Sequence, residues 1–369
     1  MSLSDMAGSR AKGLVWRLPA TRGLGSPKTK RIIARFFRIG LFSLLLCGPG
    51  GIANASDAGD QVRQQTEGLR AVLRRTADLE DHRDQMLRSL DVVDQAMKNG
   101  ATYFALYRLQ TLWARIYPYE YLASKPAIGK RDIAALDKEW RAMLPRLRAA
   151  EEEVGRGCTP SLPLAIRGLI QISRTRSAQY FEASRPYGHE TEPRDGLYYI
   201  GVAQAEIKYA SFLERLKFID EAAGKDIPGI SAQLDQLDGE IVDTYKKRDS
   251  PKLVEEFIAL NSNMELARQL EKADRTDGVL IAYLETSLKL GLLQDSEHSS
   301  APAELMSKLD QFEERLRSGG TDNSIGQIFC AAARQALFSK EPPNDLTIAS
   351  VLIQRVLPKY FTLISELQK

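Results

Sequence analysis

Between Asp60 and Lys98 the chain has no proline and a single glycine, Gly68, and apolar residues return at every seventh position. Val62, Leu69, Leu90 and Met97 share one register; Val72, Leu79, Met86 and Val93 share the other. Gln65, Thr76 and Arg83 fill the remaining seam positions. A seven-residue stripe lies on one face only if the backbone is helical, because a strand would scatter it over both faces. The spacing predicts one helix of about 58 Å at 1.5 Å per residue. Asn99-Gly100 supplies its stop. Thr76 and Arg83 weaken the middle of the seam, so we read it as packing in an antiparallel intramolecular hairpin onto the next helix. The alternative is a homodimer coiled coil through the same residues.

Helical spacing continues to the C-terminus. A helix is expected over residues 101–117, ended by Pro118, and another over 130–154, kinked at Pro145. Pro160 and Pro163 open a helix over 164–185, followed by a loop over 186–193. Asp195 occupies the N-cap position of the next helix. Helix pairs then begin near Pro228, Thr276 and Asn323, split by Ser250-Pro251, by residues 296–302 and by Glu341-Pro342-Pro343-Asn344. No β-branched run alternates over strand length. The expected fold class is all-α: antiparallel helical hairpins stacked as an irregular α-solenoid or bundle, with a long N-terminal helix. Four segments follow: residues 1–55, 56–125, 126–225 and 226–369.

Residues 1–55 carry nine Lys/Arg and one acid, Asp5. The apolar run Ile39-Gly-Leu-Phe-Ser-Leu-Leu-Leu46 follows, then Gly48-Pro-Gly-Gly51 and the small residues Ala53-Asn54-Ala55. Basic, apolar and small-x-small in this order make a secretory leader, with cleavage expected after Ala55 and a periplasmic or secreted product. The apolar run is too short for a membrane span of about 20 residues. Cys47 follows Leu46, where a lipoprotein leader needs a small residue. Thr29-Lys30-Arg31 resembles a twin-arginine signal with Lys in the first place, so the export route stays open. The remaining residues hold 42 bases and 47 acids. That balance argues against a nucleic-acid partner.

The stretch Tyr180-Phe-Glu-Ala-Ser184, Pro193 and Leu197-Tyr-Tyr-Ile200-Gly201-Val-Ala203 resembles a junction between tetratricopeptide-type units. In those repeats a Leu-Gly pair and a following small residue let two helices approach closely. Ile200-Gly201 and Ala203 stand in these places, with Lys208 near the turn glycine's position. The resemblance covers about 30 residues and implies stacked helical hairpins.

Chemistry is sparse. There is no His-Glu-x-x-His helix, no Cys-x-x-Cys, no phosphate loop and no Gly-x-Ser-x-Gly elbow, so no cofactor, metal or catalytic residue is assigned. His189 sits in a connector with Glu190, Glu192, Asp195, Arg185 and Arg194; an ordinary polar loop explains it better than a ligand site. Glu206 and Glu214 show no paired acid. Cys158 and Cys330 could form one disulfide in an exported chain; two buried thiols are the alternative. The aromatic cluster Tyr103, Phe104, Tyr107, Trp113, Tyr117, Tyr119 and Tyr121 reads as core more readily than as a ligand platform. The leading expectation is an exported helical-repeat scaffold that takes a protein or peptide partner on a concave face. That face would carry Tyr180, Tyr187, His189, Tyr198, Tyr199 and Tyr209. The second expectation is an all-α envelope enzyme or saccharide binder, with aromatics and an acid such as Glu120 or Glu182 in one pocket. Two carboxylates and aromatics lining a recess would favour it; a shallow apolar groove would favour the first.

Overall fold

The heptad segment divides where its seam is weakest. In the computed structural model, α1 (Ser56–Arg75) ends at Thr76, a tight turn covers Ala77–His82, and α2 (Arg83–Lys98) runs back. The single helix expected over residues 60–98 is thus corrected to a hairpin. Thr76 is extended, with φ −100 and ψ 107. Its N–H and its hydroxyl both donate to the Val72 carbonyl, at 3.1 and 2.8 Å. Arg83 Nε donates to the Leu73 carbonyl at 3.0 Å, so the residues that spoil the stripe satisfy the helix end. Arg70 joins the arms, 2.8 Å from both Asp91 and Asp94. Both arms pack against α3 (Thr102–Ala123), and Val62, Leu69, Val72, Leu90 and Val93 are buried. The seam offered for a homodimer is covered by the chain's own helices.

The structure describes residues 56–125, 132–155, 162–216, 218, 227, 229–248, 253–294, 301–318, 322–338 and 344–366. The leader with its cleavage point after Ala55, Cys158, Pro160, Pro228, Ser250-Pro251 and Pro342 lie outside them. Among the described residues there is no strand, and no helix is long and apolar enough to cross a membrane.

Two prolines expected to end helices lie inside them. α3 continues past Pro118 to Ala123, and α5 (Leu164–Glu190) continues past Pro186. The expected loop over 186–193 is therefore the last turn of α5 plus Thr191-Glu192. α6 (Pro193–Arg215) starts with Pro193 in its first turn and Glu192 as N-cap, which displaces Asp195 from that role. Proline suits a first helical turn because its missing N–H is unneeded there. α4 (Ile133–Gly155) carries Pro145 internally.

The α5–α6 pair is the most extensive in the fold. Gly188 and Gly196 face each other across it, and Leu136 of α4 wedges between them. A Cβ on Gly196 would come within 2.6 Å of the Ser184 carbonyl oxygen and 3.0 Å of the Gly188 Cα. Gly201 brings α6 onto α3 in the same way, its would-be Cβ 3.0 Å from the Pro118 Cα. The close approach implied by Ile200-Gly201 is present, and Ala203 is buried beside it.

The C-terminal helices appear where their breakers place them: α7 (Ser231–Lys247), α8 (Val254–Lys272), α9 (Thr276–Gln294), α10 (Pro302–Ser318), α11 (Ser324–Phe338) and α12 (Asn344–Val351). α7 packs with α8 and α11 with α12, but the expected pairing of α9 with α10 is corrected, since α9 packs on α8 and α10 on α11. A π turn, Leu352–Val356, joins α12 to α13 (Leu357–Glu366). α9 packs on α5, and α11 packs on α3. One hydrophobic core accordingly runs from Ala58 to Ile364. A second, smaller core gathers Leu136, Met143, Leu147, Phe181, Leu197, Ile200 and Ala203. Cys330 is a free thiol inside the larger core, raised above its usual range by burial.

Candidate functional site

Four helices bring polar side chains into one cluster. α3 supplies Tyr107, Arg108, Arg115 and Tyr119; α5 supplies Arg176 and Tyr180. α6 supplies Tyr198 and Glu206; α9 supplies Glu285 and Lys289. Within each helix these residues recur at whole-turn spacings (108 and 115, 115 and 119, 176 and 180, 285 and 289), so each set lies along one face. Tyr107, Arg108, Arg115, Tyr119, Arg176, Tyr180, Tyr198 and Lys289 are half-buried, whereas Glu206 is 2% exposed and Glu285 8%. Partly exposed cations and tyrosines thus surround two buried acids.

Its electrostatics form one network. The Tyr107 hydroxyl is hydrogen-bonded to Glu285, and burial together with Glu285 raises its pKa well above the ordinary value. Burial raises the Glu206 carboxyl to about 7 against the opposing Arg176, Ser173 and Gln110; Glu285 adds to the rise. Gln110 Nε2 also donates to Ser173 Oγ at 2.7 Å. Glu206 Oε2 is buried without a hydrogen-bond partner, which suits an oxygen that carries the proton. Burial lowers Lys289 to about 8, with Glu285 opposing and Arg176 and Arg115 adding to the fall. Arg115 is lowered to about 10 by burial, against the pull of Tyr198. Four cations thus lie in one cluster with two acids, Glu206 and Glu285. Groups with displaced titration gathered in one place are a common mark of a working site, and of structural ion-pair networks as well.

Tyrosines form one end. Tyr119 meets Tyr198 edge-on at 5.3 Å between centroids, Tyr198 meets Tyr199 at 6.1 Å, and Tyr180 stacks on Tyr199 at 5.7 Å. Tyr199 and Tyr187 are buried behind this wall, 4.9 Å apart. Of the tyrosines expected on a concave face, then, Tyr180 and Tyr198 are half-buried, while Tyr187 and Tyr199 are buried. Tyr209 is corrected to a core residue, 0% exposed. Its hydroxyl donates to the Leu106 carbonyl at 2.6 Å, and its ring packs on Trp113. A tyrosine deep in an aromatic core needs only this one backbone acceptor.

His189 also moves. It lies in the last turn of α5 rather than in a connector, 3.3 Å from Asp137 of α4, which also takes Arg185 Nε at 2.9 Å. Glu120 pairs with Arg75, and Glu182 is exposed; neither reaches the cleft acids. No group of acids, His and Cys able to hold a metal ion occurs among the described residues. Two shallow hollows, about 330 and 490 Å³, flank the π turn. Their lysines are engaged: Lys359 lies 3.7 Å from Glu240, and Lys308 is 2.7 Å from Glu304.

Sequence reasoning missed Arg108, Arg115, Arg176, Glu285 and Lys289. The signal was present in α9. After Asp277 that helix is apolar or neutral except for Glu285 and Lys289, one turn apart. Charges inside an otherwise apolar helix need a buried partner.

In comparisons with known proteins, no family model, no curated protein and no solved structure matches the chain.

Proposed function

We propose that this chain is an all-α binding protein in which the polar cluster between α3, α5, α6 and α9 forms a cleft for a hydroxyl-rich, saccharide-type ligand. One observation carries the reading: two buried acids, four cations and partly exposed tyrosines meet in a single cluster on these helices. Sugar rings offer apolar C–H faces to tyrosines and hydroxyls that donate to acids and accept from arginine and lysine. Glu285 at the floor is the acceptor for a ligand hydroxyl. Arg115 and Lys289 are donors, and Tyr119, Tyr180 and Tyr198 form the ring platform. The basic leader supports an exported location, where polysaccharides are the abundant polymers.

The experiment is titration calorimetry of the full chain against oligosaccharides. Tyr198→Ala is expected to weaken the best ligand about tenfold, the size of one aromatic contact. Unchanged affinity in a folded variant would remove the platform from the reading.

A scaffold role with a protein partner is favoured by a different surface. Val242, Tyr245, Val254 and Ile258, on the outer sides of α7 and α8, are exposed by 37 to 46%. Such a cluster is where partner contacts begin. Binding of a protein there would leave the cleft variants without effect.

A further inference from the structure

We infer that the larger hollow beside the π turn takes the C-terminal end of a peptide whose last residue is apolar. This site is separate from the saccharide cluster, and neither reading depends on the other. The hollow has a volume of about 490 Å³, inside the range of roughly 300–1,000 Å³ usual for small-ligand sites. One wall is α10, which contributes Lys308, Gln311, Phe312 and Arg315. These stand at i, i+3, i+4 and i+7, the spacing that keeps side chains on one helix face. The other wall is the π turn and the start of α13, with Ile353, Gln354 and Pro358. α10 packs against that turn. Single π turns within helices are frequent at binding places.

The lining holds two cations, two amides and three apolar residues, and no acid. Its apolar part is backed by the core: Ile353 is 1% exposed, and the half-buried Phe312 stacks on Phe361 at 5.1 Å between centroids. Arg315 meets no acid among the described residues; its guanidinium lies over the Phe361 ring, 4.3 Å from the centroid. Stacking holds the guanidinium plane and leaves its N–H edge for a carboxylate, which arginine takes through two parallel donors. Lys308 pairs with Glu304 one turn away, 2.7 Å distant and exposed. Such a surface pair is worth little, so a ligand carbonyl can compete for the ammonium. Arg315 and Lys308 are two turns apart, about 10 Å at 1.5 Å per residue. That is the length of about three extended residues. A peptide end can therefore lie with its carboxylate on Arg315 and its last side chain over Phe312, Ile353 and Pro358. An upstream carbonyl then reaches Lys308. The Gln311 and Gln354 amides each offer a donor and an acceptor, matching the N–H and C=O of the peptide bonds between. A bare inorganic anion would use the cations and leave the amides and the apolar floor unused.

The test is calorimetry of the full chain with four probes: N-acetyl-Ala-Ala-Phe, its C-terminal amide, N-acetyl-Ala-Ala-Ser and inorganic phosphate. The amide keeps the body of the peptide and removes the charge. The serine peptide keeps the charge and removes the apolar end. N-acetyl-Ala-Ala-Phe is expected to bind at least tenfold more tightly than each of the others. Arg315→Gln is expected to lower its affinity about tenfold, the loss of one charge-assisted hydrogen bond, and to leave the amide unchanged. Equal binding of acid and amide would overturn the inference. So would equal binding of the serine peptide or of phosphate, because the hollow would then be an ion site without a reading of the peptide. Unchanged affinity in the folded Arg315→Gln variant, or no binding of the phenylalanine peptide at millimolar concentration, would overturn it as well. The comparison of acid and amide on the wild-type chain decides the matter even if the variant fails to fold. Each of these failures leaves the saccharide reading standing.

Discussion

Asp277→Ala is expected to lower the stability of the folded chain by about 3–5 kcal/mol, the range for removing one partner of a buried ion pair. Asp277 lies in the first turn of α9 and is 3% exposed; Arg167 lies in the first turn of α5 and is 6% exposed. Arg167 Nε is 3.0 Å from Asp277 Oδ2. Gln171 doubles the link, its Oε1 accepting from the Gly278 N–H at 2.7 Å. Gly168 lets the two helix starts meet, since a Cβ there would come within 3.0 Å of the Asp277 carbonyl oxygen. Truncating Asp277 strands the Arg167 charge in a dry interface. The double change Arg167→Met with Asp277→Leu removes both charges and is expected to recover most of the loss, since apolar replacements of buried pairs are often neutral. Urea unfolding of the two variants and the wild type checks this. A single variant within 1 kcal/mol of wild type would show that the pair is not enclosed as described.

The second large effect is a pH dependence from the cleft floor. Glu206 has a folded pKa of about 7 against an ordinary 4.5. The folded chain therefore holds a proton between those values that the unfolded chain releases. Stability falls as pH rises through this window and levels off above it, by about 3 kcal/mol in total at 1.36 kcal/mol per unit. Lys289 acts with the opposite sign in another window. Its folded pKa of about 8 lies below the ordinary 10.5, so its contribution grows between those values. Glu206→Gln should flatten the decline between pH 5 and 7 and stabilise the chain most above pH 7. Denaturation midpoints measured at half-unit steps test the slope. A wild-type chain whose stability does not fall across pH 5 to 7 would contradict a buried, proton-holding Glu206.

The fold was legible where apolar period and breakers agree. The C-terminal helices begin and end close to their Pro- and Ser-rich punctuation, though α10 packs on α11 rather than on α9, and all-α character follows from helical spacing without strand alternation. The misplaced boundaries share one cause, reliance on a local rule that packing overrode. Pro118 and Pro186 each remove one backbone donor, but α3 and α5 are held by neighbours on several sides and run through them. Thr76 and Arg83 were seen to weaken the seam; that they would turn the chain depended on hydrogen bonds to Val72 and Leu73 that no periodicity contains. The cleft was half legible. Tyr180 and Tyr198 were singled out, but nothing in a linear reading brings Arg115 of α3 beside Lys289 of α9. Glu206 was noted without a partner because Glu285 lies 79 positions further along the chain.

The central claim is that the recess between α3, α5, α6 and α9 receives the ligand. The most direct measurement is a crystal structure of the full chain with the tightest-binding oligosaccharide from calorimetry. The account predicts sugar density against Tyr119 and Tyr198, with ring hydroxyls near Arg115 and Lys289. Density in the hollows beside the π turn or over Val242 and Tyr245, with the recess filled only by water, would contradict it.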